Sequence, residues 1–353
     1  MIDVAVIGAG MAGLVCARQL SQAGYSVLVI EKSRGFGGRV ATRRLYGTCA
    51  DHGACYLKPK GVFMTQLTEL LVERNILQVW NGTFIEKTEN IVSSMQPRYI
   101  SSSGMSSIAK FLAQGLEVIL NHRVIEVNLN SDQQWQLTLE SSNEQIIALA
   151  LVIAIPAPQA LMLLKPLEGN FLGSTFINKL GSVEFFPSIS VMAGYSPTSK
   201  PLPQWRAITL ENNTVLGWIG FDSTKRHNPS QPVFVVQSSA DFATANLEIE
   251  TEDLQSVGLQ ILHTAANVIG FDWLAVPDWI QLHRWRYAFP RTPLQQPFLA
   301  AETPQPLICC GDWCGGNQIE AAIHSGLSTA SAINSQLQRF GELKESDFLE
   351  NLN

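Results

Sequence analysis

Three glycines, Gly8, Gly10 and Gly13, follow the apolar run Val4 to Ile7 and open a helical pattern. In a G-x-G-x-x-G array the first glycine makes a tight turn and the second lets backbone approach a pyrophosphate. The third packs helix closely on strand. The helix start beyond them offers free N–H groups and a partial positive charge to phosphates. Glu31 closes the next apolar run, where a carboxylate accepts hydrogen bonds from ribose hydroxyls and repels the extra phosphate of NADP. The chemistry implied is dinucleotide binding.

Two further stretches point from NAD to FAD. Gly37-Gly38-Arg39 and then Asp51-His52-Gly53-Ala54-Cys55-Tyr56 follow shortly after Glu31, where an NAD dehydrogenase would continue into its next helix. Paired glycines let backbone approach a second ligand surface, and Arg39 can bond a pyrophosphate bidentately. Near the other end, Gly311-Asp312 caps an apolar strand and Gly315-Gly316-Asn317 precedes a helix. An aspartate there suits a ribityl hydroxyl, and a helix N-terminus aimed at the ring favours the anionic reduced flavin. The expected cofactor contacts are Gly8, Ala9, Gly10, Met11, Ala12, Gly13, Glu31, Lys32, Gly38, Arg39, Gly53, Ala54, Cys55, Val124, Gly311, Asp312, Gln318, Ile319 and Ala322.

For the substrate side, alternation over 283–289 puts His283, Trp285, Tyr287 and Phe289 on one strand face. That face reads equally as an aromatic wall over a flavin or as a packed core strand with its arginines outward. Trp205, Trp218 and Phe221 are roof candidates, each more readily core. Asp222, Lys225 and Arg226 fall in a polar turn; one of them contacting a charged substrate is the weaker reading, and solvated side chains are the expectation. The six histidines are scattered and read as structural, and neither a Ser-His-Asp order nor a metal cluster stands out.

The elements that must position these residues begin with a βαβ unit: strand Val4 to Ile7, helix Met11 to Gln22 stopped by Gly24, and strand Tyr25 to Ile30. A helix over Ser106 to Gln114 follows, then strands at 117–120, 124–129, 135–140 and 146–155, with Asn130 to Asp132 as a turn. Residues 165–300 are richer in Pro, Trp and Phe, with short alternating strands and one helix near 253–269. A last strand, 307–310, leads to a helix over 319–337. The fold expected is α/β, a Rossmann-like FAD-binding domain with an inserted α+β substrate domain. The first takes 1–60, 100–160 and 300–340, the second 61–99 and 161–299, and 341–353 is a tail with solvated acids.

Composition narrows the classes. With 353 residues, 46% of them hydrophobic and 15% charged, the chain buries a large core unaided. A net charge of −6 without a basic run argues against nucleic acid. Six cysteines without a C-x-x-C pair suggest neither zinc nor a thioredoxin motif. The start lacks a basic lead, and the apolar stretch 146–164 holds Pro156 and Pro158, so a soluble, cytoplasmic protein with reduced thiols is expected.

These motifs together resemble the renalase family, within the wider amine-oxidase-like FAD superfamily. The resemblance runs through VIGAGMAG at 6–13, GGRVAT at 37–42, ADHGACY at 50–56, GMSSIAKFL at 104–112, LVIAIPAPQA at 151–160, HRWRYAFP at 283–290 and GDWCGG at 311–316. It implies a para-hydroxybenzoate-hydroxylase-like topology, noncovalent FAD despite Cys314 near the flavin, and Tyr56 beside the cofactor. With Trp285 and Tyr287, Tyr56 is taken as substrate-facing. Cys55 stands where the family often has glutamine. Renalases oxidise isomers of reduced nicotinamide dinucleotides and pass the electrons to oxygen, so the resemblance implies NAD(P)H or an isomer as donor. A flavin amine oxidase or desaturase, and a catalytically silent FAD-binding protein, stay open as alternatives.

Overall fold

Ile2–Ile7 is the central strand of the first sheet, and Val4, Ala5 and Val6 have no exposed surface, as a parallel strand covered on both faces requires. It pairs in parallel with Val27–Glu31 on one side and Gln145–Ile153 on the other. Glu117–Leu120 and Leu307–Cys309 extend the parallel core outward. An antiparallel pair, Val124–Leu129 and Trp135–Leu139, continues it to eight strands with Leu299–Ala300. This computed structural model describes residues 2–87, 91–93, 96–140, 145–197, 201–250 and 252–352.

The first helix, Met11–Ala23, ends at Gly24, whose φ of 105° is the left-handed cap that glycine adopts without strain. Beside it lies the long helix Ile319–Leu337. A Cβ on Gly326 would sit 2.5 Å from the Ala12 carbonyl oxygen, so only glycine permits this approach. Farther along, Tyr25 Oη donates to Asn334 Oδ1 at 2.8 Å. Contacts near the two starts and beyond the first helix's end make the helices parallel. Both N-termini therefore face the C-terminal edge of the parallel strands.

The second sheet has seven strands in the order Trp279–Pro290, Phe185–Gly194, Val233–Ser238, Leu216–Phe221, Trp205–Leu210, Thr83–Lys87 and Ile91–Ser93. Its alternation sorts two faces. Ile189, Val191, Ile219, Phe234 and Val236 pack under the helix Leu254–Ile269. Met192, Ala207, Trp218, Val233 and Val235 join the core of the first sheet. The second face is thus the one that looks onto the dinucleotide-type half.

Several elements differ from expectation. Gly61–Glu73 and Ser174–Gly181 are helices that the sequence reading left unassigned. The apolar stretch 146–164 divides at its prolines: the strand ends at Ile153 and a helix, Ala157–Leu164, starts with proline in its first turn. The tail is not only a solvated end. Its acids are exposed, but Phe348 in the short helix Glu345–Glu350 is fully buried, with its ring 6.4 Å from that of Phe63. No helix among the described residues is long and apolar enough to cross a membrane.

Candidate cofactor and substrate site

The site grows from the C-terminal ends of the parallel strands, the standard place for a ligand in an open α/β sheet. Gly8 N–H donates to Ile30 O at 2.8 Å, and Ala154 N–H to Ile7 O at 2.8 Å. Gly8 has φ 105°, and a Cβ on Gly13 would lie 2.1 Å from Gly8 O. Neither position accepts a side chain. Gly10 is different: a Cβ there meets nothing within 4 Å, and no side chain caps the helix that follows. The second glycine leaves open space exactly where helix N–H groups stand free.

Gly37 docks the next motif on this loop through its N–H to Ala9 O at 2.8 Å. Glu31, mostly buried, accepts from Ala9 N–H at 2.8 Å and from Ser33 N–H at 2.8 Å. Asn121 and His122 donate from their N–H groups to Ser33 O and Glu31 O, two residues before the strand that Val124 opens. Lys32 is exposed next to it. Arg39 O accepts from Ala54 N–H at 2.8 Å, and a Cβ on Gly53 would lie 2.0 Å from that same oxygen. Residues 37–39 and 53–54 are therefore stacked backbone on backbone.

From the far end of the chain, Asp312 reaches Arg39 through two bonds of 2.6 and 2.7 Å. Burial pushes the Asp312 carboxyl up, and Arg39 opposes that shift. Gly311 N–H donates to Ser325 Oγ at 3.0 Å, which fixes the strand end against the long helix. Gln318 occupies that helix's N-cap without a side-chain bond to it, so the N–H groups at Ile319 and beyond are uncapped, with Ala322 one turn on. These residues fit FAD: an open glycine cradle and two uncapped helix starts match a pyrophosphate and its flanking sugars. The guanidinium of Arg39, expected on the pyrophosphate, is instead taken up by Asp312 and the Ala288 carbonyl.

The substrate side divides the aromatic strand. His283 and Trp285 come together with His52: ring centroids are 4.9 Å apart for His52–His283 and 5.3 Å for His52–Trp285, the latter pair stacked. Trp285 Nε1 and Ser190 Oγ both donate to His52 O, at 2.8 and 2.6 Å. Burial, then His283 and Arg43, hold His52 down to about 3; burial and Arg43 hold His283 down to about 4. Both imidazoles are neutral at ordinary pH. Tyr287 lies apart, edge-on to Phe185 at 5.7 Å, and Phe289 is 50% exposed.

Tyr56 keeps part of its surface accessible and stands 6.4 Å from both Trp80 and Trp218. Of the roof candidates only Trp218 is here. Trp205 and Phe221 pack on Phe234 at the other face, at 6.3 and 4.7 Å. Cys55 Sγ turns to Asp51 O at 3.0 Å, and burial raises its thiol to about 12. Gln237 from the second sheet approaches to 3.8 Å and donates to Gly53 O at 2.8 Å. Cys314 is buried at 2% exposure, with burial raising its thiol too.

The polar turn is a correction. Asp222, Lys225 and Arg226 are not solvated; with Asp51 they form a buried network of two acids and two bases. Lys225 Nζ lies 2.7 Å from Asp222 and 3.3 Å from Asp51, and Arg226 Nη2 2.6 and 2.8 Å from the same pair. Burial raises the Asp51 carboxyl, but Lys225 and then Arg226 outweigh it and hold it at about 2. Sequence reasoning missed the network, although acid at i with bases at i+3 and i+4 was visible in Asp222, Lys225 and Arg226. It also missed Arg98, Trp80 and Gln237, which carry no local signal. No group of His, Cys, Asp and Glu able to hold a metal exists among the described residues.

The class is that of a two-sheet, FAD-dependent oxidoreductase, and the residues that would hold the cofactor converge at the edge of the parallel sheet. Residues 6–71 match the NAD(P)-binding Rossmann-like domain. Residues 82–334 match the flavin containing amine oxidoreductase model, and the chain belongs to that family. Over 91 residues it is 38% identical to AofH of Mycobacterium tuberculosis, named as a flavin-containing monoamine oxidase, covering 23% of this chain and 20% of that protein. Over 74 residues it is 39% identical to an L-amino acid dehydrogenase of Synechocystis sp., covering 20% and 16%. The chain thus matches a fifth or less of these relatives' own length. Putrescine oxidase bound to putrescine shares the fold at TM-score 0.68 and 16% identity, over 95% of this chain and 99% of that one. Cyclohexylamine oxidase from Brevibacterium oxydans does so at 0.66 and 15%, over 96% and 100%.

Proposed function

We propose that the chain is a flavin amine oxidase. The substrate loses hydride from the carbon bearing its nitrogen, the nitrogen lone pair closes a C=N bond, and water then releases the carbonyl product and the amine nitrogen. FAD, when bound, supplies the hydride acceptor and passes the electron pair on, with oxygen as the expected acceptor. The observation that carries the reading is Tyr56, partly accessible, beside Trp80 and Trp218 and two residues from Ala54, whose N–H docks on Arg39. Such an aromatic surface would orient an apolar donor and exclude water, which is most of what hydride transfer asks of a protein.

A second reading, oxidation of isomeric dihydronicotinamide dinucleotides as in renalases, is supported by the stacking of Trp285 on His52, a surface suited to a flat ring. Anaerobic mixing separates the two. Bleaching of the flavin by primary amines and not by isomeric NADH supports the amine oxidase; the reverse supports the second reading. A flavin bleached by neither class contradicts both.

A further inference from the structure

His283, Ser190, Gln237 and Trp218 are cross-strand neighbours on four adjacent strands of the second sheet, and such neighbours share one face. The row runs along residues 52–56. His283 meets the His52 ring at 4.9 Å, Ser190 Oγ donates to His52 O at 2.6 Å, Gln237 Nε2 donates to Gly53 O at 2.8 Å, and Trp218 stands 6.4 Å from Tyr56. A carbonyl oxygen accepts and never donates, so the bond to Gly53 O fixes which branch of the Gln237 amide is nitrogen. The same Nε2 faces Cys55 Sγ at 3.8 Å. Oε1, on the other branch, accepts from no described residue and keeps surface open to solvent in a half-buried side chain. The donors around it are engaged elsewhere: Ser190 Oγ and Trp285 Nε1 on His52 O, and Cys55 Sγ on Asp51 O. Trp218 Nε1 and His52 Nδ1 are fully buried and do not bond it. An accessible acceptor among engaged donors leaves its partner to a ligand.

We propose that Gln237 is a specificity-determining residue: its Oε1 accepts an N–H from the substrate and so selects donors that carry hydrogen on nitrogen. The inference rests on the amine oxidase reading and narrows its substrates to primary and secondary amines. An amide neither gives nor takes a proton at ordinary pH, and amine and ammonium both donate, so the contact orients the nitrogen without fixing its charge. The bond of Nε2 to Gly53 O holds the acceptor in place before the ligand arrives. An acceptor built to meet a substrate N–H discriminates against the isostere that lacks it, because it is then left unpaired.

Binding of aniline and of toluene to the oxidised holoprotein, read from the flavin absorbance, tests this. The two share one shape and differ in an amino against a methyl group. Aniline is uncharged at neutral pH and has no hydrogen on the carbon bearing its nitrogen, so it binds without reducing the flavin. A purely apolar surface prefers toluene; the parent is expected to bind aniline about tenfold more tightly. Gln237→Met, close in length but without the acceptor, is expected to reverse that preference, and Gln237→Glu, which keeps an acceptor oxygen, to retain it. The parent and Gln237→Glu decide by themselves if Gln237→Met sheds its flavin. A role limited to holding Gly53 weakens both ligands alike in Gln237→Met, and that result overturns the contact. Equal binding of the two by the parent overturns it as well, and is the outcome if an N–H of the flavin meets Oε1. Bleaching by primary amines without a preference for aniline overturns the contact and leaves the oxidase standing. A preference that Gln237→Met loses, beside a flavin that no amine bleaches, keeps the contact and overturns the oxidase.

Discussion

Arg39 and Asp312 stand 273 residues apart in sequence and form a two-bond ion pair at 2.6 and 2.7 Å. One belongs to the turn stacked on the glycine loop, the other to the strand end before the long helix. The pair joins two distant parts of the chain, both of them proposed to hold the dinucleotide. Asp312 is only 8% exposed at its side chain, so removal of Arg39 leaves a buried carboxylate without its counter-charge. Arg39→Met is therefore expected to weaken FAD at least tenfold, and Asp312→Asn somewhat less, since an amide still bonds a hydroxyl. Flavin retained per chain after desalting measures both; full retention in each would contradict this role.

The glycines of the first loop make a paired prediction. Gly10→Ala puts its methyl in open space, and the backbone there (φ −77°, ψ 180°) suits any residue. Apoprotein carrying it is expected to melt with the parent while its FAD affinity falls at least tenfold. Gly13→Ala drives its methyl to 2.1 Å from Gly8 O, so it is expected to lower stability even without cofactor. Melting of the two apoproteins at one temperature would contradict this division.

Removal of one member of the buried network strands the others. Asp51→Asn leaves Lys225 and Arg226 sharing a single acid in a site with no exposed charge, at a cost of about 3–5 kcal/mol. Asp51→Asn combined with Lys225→Met restores neutrality and is expected to cost less than the two single losses together. Denaturant unfolding of the four proteins gives the coupling; strict additivity would show that the charges act independently.

The buried imidazoles predict a pH dependence. A histidine held at about 3 when folded and near 6.5 when unfolded takes up its proton first in the unfolded state. Its contribution is thus complete above about pH 6.5 and is lost as pH falls toward 4, by about 2–3 kcal/mol. His52→Gln is expected to flatten the fall in melting temperature between pH 6.5 and 4. An unchanged slope would mean that His52 is not the group responsible.

The parts of this molecule legible in its sequence are those that local geometry dictates. Gly24 stops the first helix and the bounds of Ile319–Leu337 follow from periodicity, because caps and helical faces involve neighbouring residues. The network was illegible because Asp51 meets Lys225 across 174 residues, and a base in a turn reads as solvated until the opposing acid is placed. Trp205 and Trp218 are alike as residues and adjacent strands carry them. Register alone would put both on one face, since Trp218 pairs with Thr209; the irregularity between Trp205 and Ala207 turns Trp205 to the outer core and leaves Trp218 beside Tyr56. The bulge between Phe186 and Ser188 likewise parts Tyr287 from His283 and Trp285, which strict alternation had kept together.

The most direct measurement is the visible spectrum of the purified chain, before and after dialysis against FAD. The account predicts a bound flavin at one per chain, released when the protein is denatured with acid. A protein that stays colourless after FAD is supplied would contradict it, because the open space at Gly10 and the clasp of Arg39 on Asp312 would then have no ligand to explain them.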